Sequence, residues 1–225
     1  MILAEACQNT FVLFDCIDSE PNWKSAHAAL LKENRDDALI LTLEKKTPTA
    51  LYLKMHVLGV DGQFGEFCGN GARSAAAYLF SHYPEFKEFY LVTGRGTFPL
   101  FSYGMGIYAV HLPKVQFSED HWEILEPHLA LEKKLSDREL LDLGRAINQK
   151  RSINVNAWVE LQPSVIAVKT YERGVQRLTK SCGTGSCVCA SLYLNGKGSV
   201  FVKTPGGLLL IRLQDKHLEL IGPAT

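Results

Sequence analysis

The chain has 225 residues, 46% hydrophobic and 21% charged, with a formal net charge of zero and a pI near 7.0. That balance excludes a nucleic-acid binder relying on a broad basic surface, and no apolar run approaches the roughly 18 residues of a membrane span. The start, Met1-Ile2-Leu3-Ala4-Glu5-Ala6-Cys7, lacks the basic end and apolar core of a signal peptide, so a cytoplasmic globular protein of one or two domains is expected.

Taken in order, Thr10 to Phe14 is a β-branched and aromatic run that predicts a strand. Asn22 to Asn34 spaces Trp23, Ala26, Ala29, Leu30 and Leu31 as an amphipathic helix. Ala38 to Leu43 and Leu51 to Val57 read as strands. Cys68-Gly69-Asn70-Gly71-Ala72-Arg73 follows, then a small-residue helix that ends before Pro84. Phe89 to Thr93, Phe98 to Tyr103 and Ile107 to Leu112 are strands, the last two joined by a Gly104-Met105-Gly106 turn. The second half repeats this order. Leu135 to Gln149 is a helix with Ser136 and Glu139 as a capping box, and Ile153 to Leu161 and Val165 to Tyr171 are strands. Cys182-Gly183-Thr184-Gly185 then opens a second small-residue helix. Val200 to Lys203 and Leu208 to Leu213 form a hairpin through Pro205-Gly206-Gly207. Glu44-Lys45-Lys46 and Glu132-Lys133-Lys134 read as solvated surface. Cys68 and Cys182 stand 114 residues apart, about half the chain, so two halves on one plan are expected: 1–113 carrying Cys68 and 114–225 carrying Cys182.

Six cysteines could form three disulfides, but a chain of this length without an export signal has no need of them. A cysteine before a Gly-rich turn sits at a helix N-terminus, where unpaired amides and the helix dipole favour a thiolate over the usual thiol. The glycines let backbone N–H groups approach a carboxylate. One such motif alone favours a buried structural cysteine. Two copies facing one substrate suit inversion of a carbon next to a carboxylate: one thiolate removes the α-proton, and the opposite thiol delivers a proton to the other face. Cys187 and Cys189 have no usual zinc spacing and read as core, with no metal expected. Cys7 reads as a buried strand-end thiol, Cys16 has no functional case, and His56 reads as packed.

Phe67-Cys68-Gly69-Asn70-Gly71-Ala72-Arg73 closely resembles the first cysteine motif of diaminopimelate epimerases, and Tyr171-Glu172-Arg173-Gly174 with Ser181-Cys182-Gly183-Thr184-Gly185 resembles the second. Asn9-Thr10-Phe11, Asp61-Gly62, Asn154-Val155-Asn156, Gly206-Gly207 and Gly222-Pro223-Ala224 extend the resemblance over most of the chain. The resemblance implies an α/β (α+β) fold of two pseudo-symmetric halves, each a curved, mainly antiparallel sheet around a central helix, with the active site in the cleft between them. It implies Cys68 and Cys182 as the acid/base pair. Gly69, Asn70, Gly183 and Thr184 would hold the reacting centre, helped by Asn9, while Asn154, Glu172 and Arg173 would hold the distal group. The implied enzyme converts LL-diaminopimelate to the meso form without a cofactor, in lysine and peptidoglycan synthesis. Its partner is a small amino-acid substrate, with no nucleic acid or membrane, and a homodimer is left open.

The departures cluster at the distal end. The loop Arg35-Asp36-Asp37-Ala38 lacks a side-chain amide, Gly59 stands where the family has Asn, and the family's Gly-Asn-Pro-His reads Leu125-Glu126-Pro127-His128. Arg177 to Ser181 replaces a Gly-Glu-Thr. These changes leave open a racemase of another amino acid, such as glutamate or histidine, or an enzyme of dual specificity. A silent binding relative and a thiol–disulfide redox protein rank behind, because both cysteines are retained and a disulfide would inactivate the pair.

Overall fold

The computed structural model describes residues 1–225. The chain divides into two compact units: unit 1 comprises Met1–His111 and Gly222–Thr225, and unit 2 comprises Leu112–Ile221. The sequence places the boundary near Pro113 and gives the last residues to the second half. Backbone pairing explains the difference: Thr225 and Glu5 exchange N–H···O bonds of 2.9 and 3.2 Å, and Ala224 N donates to Gly106 O at 3.1 Å.

Unit 1 runs β1 (Ile2–Ala6), β2 (Asn9–Cys16), α1 (Trp23–Glu33), β3 (Asp37–Lys46), β4 (Ala50–Gly59), β5 (Phe64–Gly65), α2 (Gly69–His82), β6 (Glu88–Thr93), β7 (Gly96–Gly104) and β8 (Ile107–Pro113). Strands β2–β3 and β4–β6 pair in parallel; β1–β2, β3–β4, β4–β5, β6–β7 and β7–β8 are antiparallel. Helix α2 packs against β1, β2, β3, β4, β6 and β7, so the sheet curves round it. A helix enclosed in this way is mostly small or apolar, and residues 69–77 are all buried, with Asn70 and Arg73 the large polar exceptions. Helix α1 covers the opposite sheet face, where Ala26 and Leu30 pack with Val12, Ala38, Ile40 and Leu58.

Unit 2 runs β9 (Gln116–Ser118), β10 (His121–Ile124), β11 (Glu126–Glu132), α3 (Asp137–Asn148), β12 (Asn154–Gln162), β13 (Val165–Glu172), β14 (Arg177–Leu178), α4 (Gly183–Leu194), β15 (Gly198–Thr204), β16 (Gly207–Leu213) and β17 (His217–Pro223). After the extra strand β9, its pairings repeat those of unit 1: β11–β12 and β13–β15 are parallel, and β10–β11, β12–β13, β13–β14, β15–β16 and β16–β17 are antiparallel. Helix α4 packs against β10, β11, β12, β13, β15 and β16. Helix α3 covers the other face, where Leu140 meets Ile153, Val155, Ala157 and Tyr171. Its N-terminus carries the expected capping box of Ser136 and Glu139. The fold is the α/β type expected, with a mainly antiparallel sheet around a central helix in each unit. No helix is long and apolar enough to cross a membrane.

The C-terminal end of α2 is tied to β2 by Asp15. Its Oδ2 accepts hydrogen bonds from the Tyr78 hydroxyl at 2.7 Å and from the Tyr83 hydroxyl, while its Oδ1 accepts from Ile17 N at 2.9 Å. Burial first, then Asp15, pushes both tyrosines above their ordinary range. Asp15→Ala removes three bonds around one carboxylate and should cost about 2 kcal/mol. Urea unfolding checks this, with a lowered midpoint at unchanged slope expected.

Candidate active site

Each candidate thiol is the N-cap of its unit's central helix. Cys68 has extended backbone at φ −131°, and Gly71 N donates to its Sγ at 3.2 Å. Cys182 repeats this at φ −113°, with Gly185 N donating to Sγ at 3.4 Å. The Cys-Gly-X-Gly spacing is what allows it. The cap side chain meets the N–H three residues on, and a glycine there lets the turn pass close beneath the sheet.

In unit 1, Asn9 at the start of β2 reaches the turn. Its Oδ1 accepts from Asn70 Nδ2 at 3.3 Å and lies 3.9 Å from Cys68 Sγ. Arg73, one turn into α2, is fully buried. Its guanidinium donates to Gly69 O at 3.2 Å, to Asn70 Oδ1 at 2.7 Å and to Cys7 Sγ at 3.6 Å. Arg73 therefore fixes the orientation of the Asn70 amide. The motif residues Asn9, Cys68, Gly69 and Asn70 are thus brought together, and Arg73 joins them as a residue that the sequence quoted only as part of the motif.

In unit 2, Thr184 Oγ1 lies 3.5 Å from Cys182 Sγ. Asn154 on β12 has both ends of its amide engaged: Nδ2 donates to Glu126 Oε2 at 3.0 Å, and Oδ1 accepts from Arg173 N at 3.0 Å. Glu172 Oε1 accepts from Thr179 Oγ1 at 2.6 Å. Leu125 holds a left-handed φ of +62°, where the resemblance has glycine, and this supports reading Leu125 to His128 as the Gly-Asn-Pro-His counterpart. Burial pushes the Cys182 thiol well above its ordinary range, and the nearby Glu172 and Glu126 carboxylates push the same way. Thr184 and the Gly185 amide oppose them. Cys182 is consequently a protonated thiol near neutral pH, suited to donating a proton. Its alkylation by iodoacetamide should still be accelerating above pH 9, well beyond the range in which an ordinary cysteine levels off. Peptide mass spectrometry after timed labelling measures this.

The remaining departures have local reasons. A Cβ on Gly59 would come 2.9 Å from Asp61 Oδ1, which accepts from Gln63 N at 3.0 Å, so a side chain there would displace that carboxylate. Cys187 and Cys189 are fully buried in α4, as expected of core residues. Cys7 is buried at the β1–β2 turn, at φ +52°. His56 accepts or donates to Thr42 Oγ1 at 3.1 Å and packs edge-on to Trp23 at 5.0 Å between centroids.

Beneath the Cys182 turn lie His128, which the Leu125-Glu126-Pro127-His128 alignment puts near the site, Asn156 of the Asn-Val-Asn segment, and Thr170, which the sequence did not single out. All are buried, at 0%, 0% and 3% exposure. Asn156 Oδ1 accepts from Thr170 Oγ1 at 2.8 Å, and its Nδ2 donates to Leu129 O at 2.9 Å and to His128 Nδ1 at 3.2 Å. The legible signals were the Pro127-His128 pair and asparagine at two alternate positions, 154 and 156, of an otherwise apolar strand.

No family model matches the chain. Diaminopimelate epimerase of Thermotoga maritima is 31% identical over 173 residues, covering 72% of this chain and 73% of that relative. Diaminopimelate epimerase of Campylobacter lari is 29% identical over 237 residues, covering 96% and 92%. Among solved structures, a predicted epimerase from Pseudomonas aeruginosa superposes with a TM-score of 0.72 at 12% identity, over 99% of this chain and 95% of its own. The chain belongs to the diaminopimelate epimerase family and is an isomerase of the amino-acid epimerase and racemase class.

Proposed function

We propose that this enzyme inverts the α-carbon of diaminopimelate, LL to meso, with Cys68 and Cys182 as its acid/base pair and no cofactor. The observation that carries the reading is the repeated cap: each unit places one thiol at the N-terminus of its central helix, with an amide donating to the sulfur. One thiol takes the α-proton as a thiolate. The other, already protonated, delivers a proton to the opposite face. The N–H groups of Gly69, Asn70, Gly183 and Thr184, at the two helix starts, would stabilise charge building on the carboxylate. Glu172, Arg173 and Asn154 receive the distal amino-acid group. Such an activity would serve lysine and peptidoglycan synthesis in the cytoplasm.

A second reading rests on Glu126. A carboxylate hydrogen-bonded to Asn154 stands where the resemblance has an amide, and this alters recognition of the distal end. On that reading the substrate is another amino acid, such as glutamate or histidine, or the enzyme has dual specificity. The test is incubation of purified protein with LL-diaminopimelate, D-glutamate and D-histidine in D2O, followed by chiral chromatography and mass spectrometry of the α-carbon. Conversion of the first with α-deuteration supports the main reading. Inactivity on the first with turnover of another moves the assignment to the second.

A further inference from the structure

The internal repeat supplies its own control for the residues beneath each cysteine turn. In unit 1, a Cβ on Gly71 would meet Leu39 Cδ2 at 2.8 Å; in unit 2, a Cβ on Gly185 would meet Asn156 Oδ1 at 2.2 Å. Leu39 pairs across the sheet with Val57, and Asn156 pairs with Thr170. In the parallel pairings, Phe11 stands beside Asp37, two residues before Leu39; His128 stands beside Asn154, two residues before Asn156. The seat of the Cys68 turn is therefore Phe11, Leu39 and Val57, all apolar. The seat of the Cys182 turn is His128, Asn156 and Thr170, all polar and buried to the same degree.

Stability does not account for the polar seat. Asn156 donates to His128 Nδ1, so the ring carries its proton on Nε2, and that nitrogen is buried without a hydrogen-bond partner. Burial, and then the charges of Arg173 and His121, lower the His128 pKa to about 3, so the ring stays neutral. Taking a histidine, an asparagine and a threonine out of water is a cost that the apolar seat of unit 1 avoids. Unit 1 also demonstrates that phenylalanine, leucine and valine fill the same sites beneath the same kind of turn.

What the polar seat does provide is orientation. The Asn156 amide is held from both ends, by Thr170 on one side and by Leu129 O and His128 on the other, so it can neither rotate nor flip. Its oxygen fills the space where a Cβ on Gly185 would stand, and the Gly185 N–H points at Cys182 Sγ. A leucine methyl in that slot could slip by tenths of an ångström at little cost; a triply bonded amide cannot. We propose that His128, Asn156 and Thr170 are positioning residues that fix the Cys182 turn for proton transfer, in a way the apolar seat of Cys68 does not. The proposal rests on the two-thiol reading above for its kinetic arm only.

The test replaces the polar seat by the apolar one: His128→Phe, Asn156→Leu and Thr170→Val together. The expected variant folds, with a cooperative thermal transition. Its kcat for LL-diaminopimelate falls by about ten- to a hundred-fold, as small misplacements of reacting groups do, with KM within about two-fold. Near wild-type kcat in the folded triple variant overturns the proposal. Should the triple variant not fold, Thr170→Val and Thr170→Ser decide: serine keeps the hydroxyl and wild-type kcat, valine loses both, and equal activity of the two overturns the proposal. Iodoacetamide labelling provides an arm that needs no substrate. In the triple variant (or in Thr170→Val) Cys182 should label faster while Cys68 keeps its wild-type rate; unchanged labelling of Cys182 overturns the proposal. If the wild type proves inert on LL-diaminopimelate, the function assignment falls while this labelling result still stands or fails independently.

Discussion

Cys182→Ala and Cys68→Ala should each lower epimerisation of LL-diaminopimelate by at least about a hundred-fold, and up to about ten thousand-fold, the range that a positioned acid or base contributes. The fold should survive. Losing a cap acceptor costs a helix only about 1 kcal/mol. A two-base mechanism makes a sharper demand than loss of rate. A variant retaining one thiol can still lift and return a proton on a single face, so α-deuterium exchange without inversion is allowed to persist for one diastereomer. Following deuterium content and configuration in the same D2O sample reads both. Full turnover by Cys182→Ala would sink the mechanism.

Gly185→Ala should be far more damaging than Gly71→Ala, although both sit at the same position of equivalent turns. At Gly71 the new methyl meets the end of the Leu39 side chain at 2.8 Å, which can change rotamer. The helix also gains from replacing glycine by alanine, by about 1 kcal/mol, so the net change should be small. At Gly185 the methyl would lie 2.2 Å from Asn156 Oδ1 and 3.2 Å from Thr170 Oγ1. It must break a buried hydrogen-bonded amide out of its place. Overpacking and the lost bonds together should cost about 3 kcal/mol. Thermal melts of the two single variants provide the comparison, and similar shifts in both would show that the Asn156 amide yields as easily as a leucine.

Local signals in the sequence carried much of this. The α3 capping box, the Asn22 and Asn34 ends of α1, the Gly104–Gly106 turn and both Cys-Gly turns depend on residues within four or five of one another. The strands β1 and β11 were not legible. Ile2-Leu3-Ala4-Glu5-Ala6 and Glu126-Pro127-His128-Leu129 have little β-propensity, and they extend because β2 and β12 offer them partners. Strand β17 was missed although His217 to Ile221 is largely apolar, its partner β16 lying directly before it. At the site, the motif cysteines and their glycines could be named from the sequence. Arg73 was quoted only as the end of the first motif, and its wholly buried place behind Asn70 depends on the packing of α2 inside the sheet. The polar seat draws on β11, β12 and β13, so only the pairing of those strands reveals it. The distal departure at Gly59 looked like a substrate effect, and the tight turn beside Asp61 supplies a steric one.

The closing bonds between Glu5 and Thr225 carry a consequence for how the chain is made. Unit 2 is one uninterrupted stretch, Leu112–Ile221, while unit 1 is sewn from two pieces. During synthesis the second unit has all of its residues available before the first has its last four. Unit 1 must wait for residues 222–225, which follow all of unit 2, before the backbone of Glu5 gains its partner in Thr225. The order of completion is thus the reverse of the order of translation.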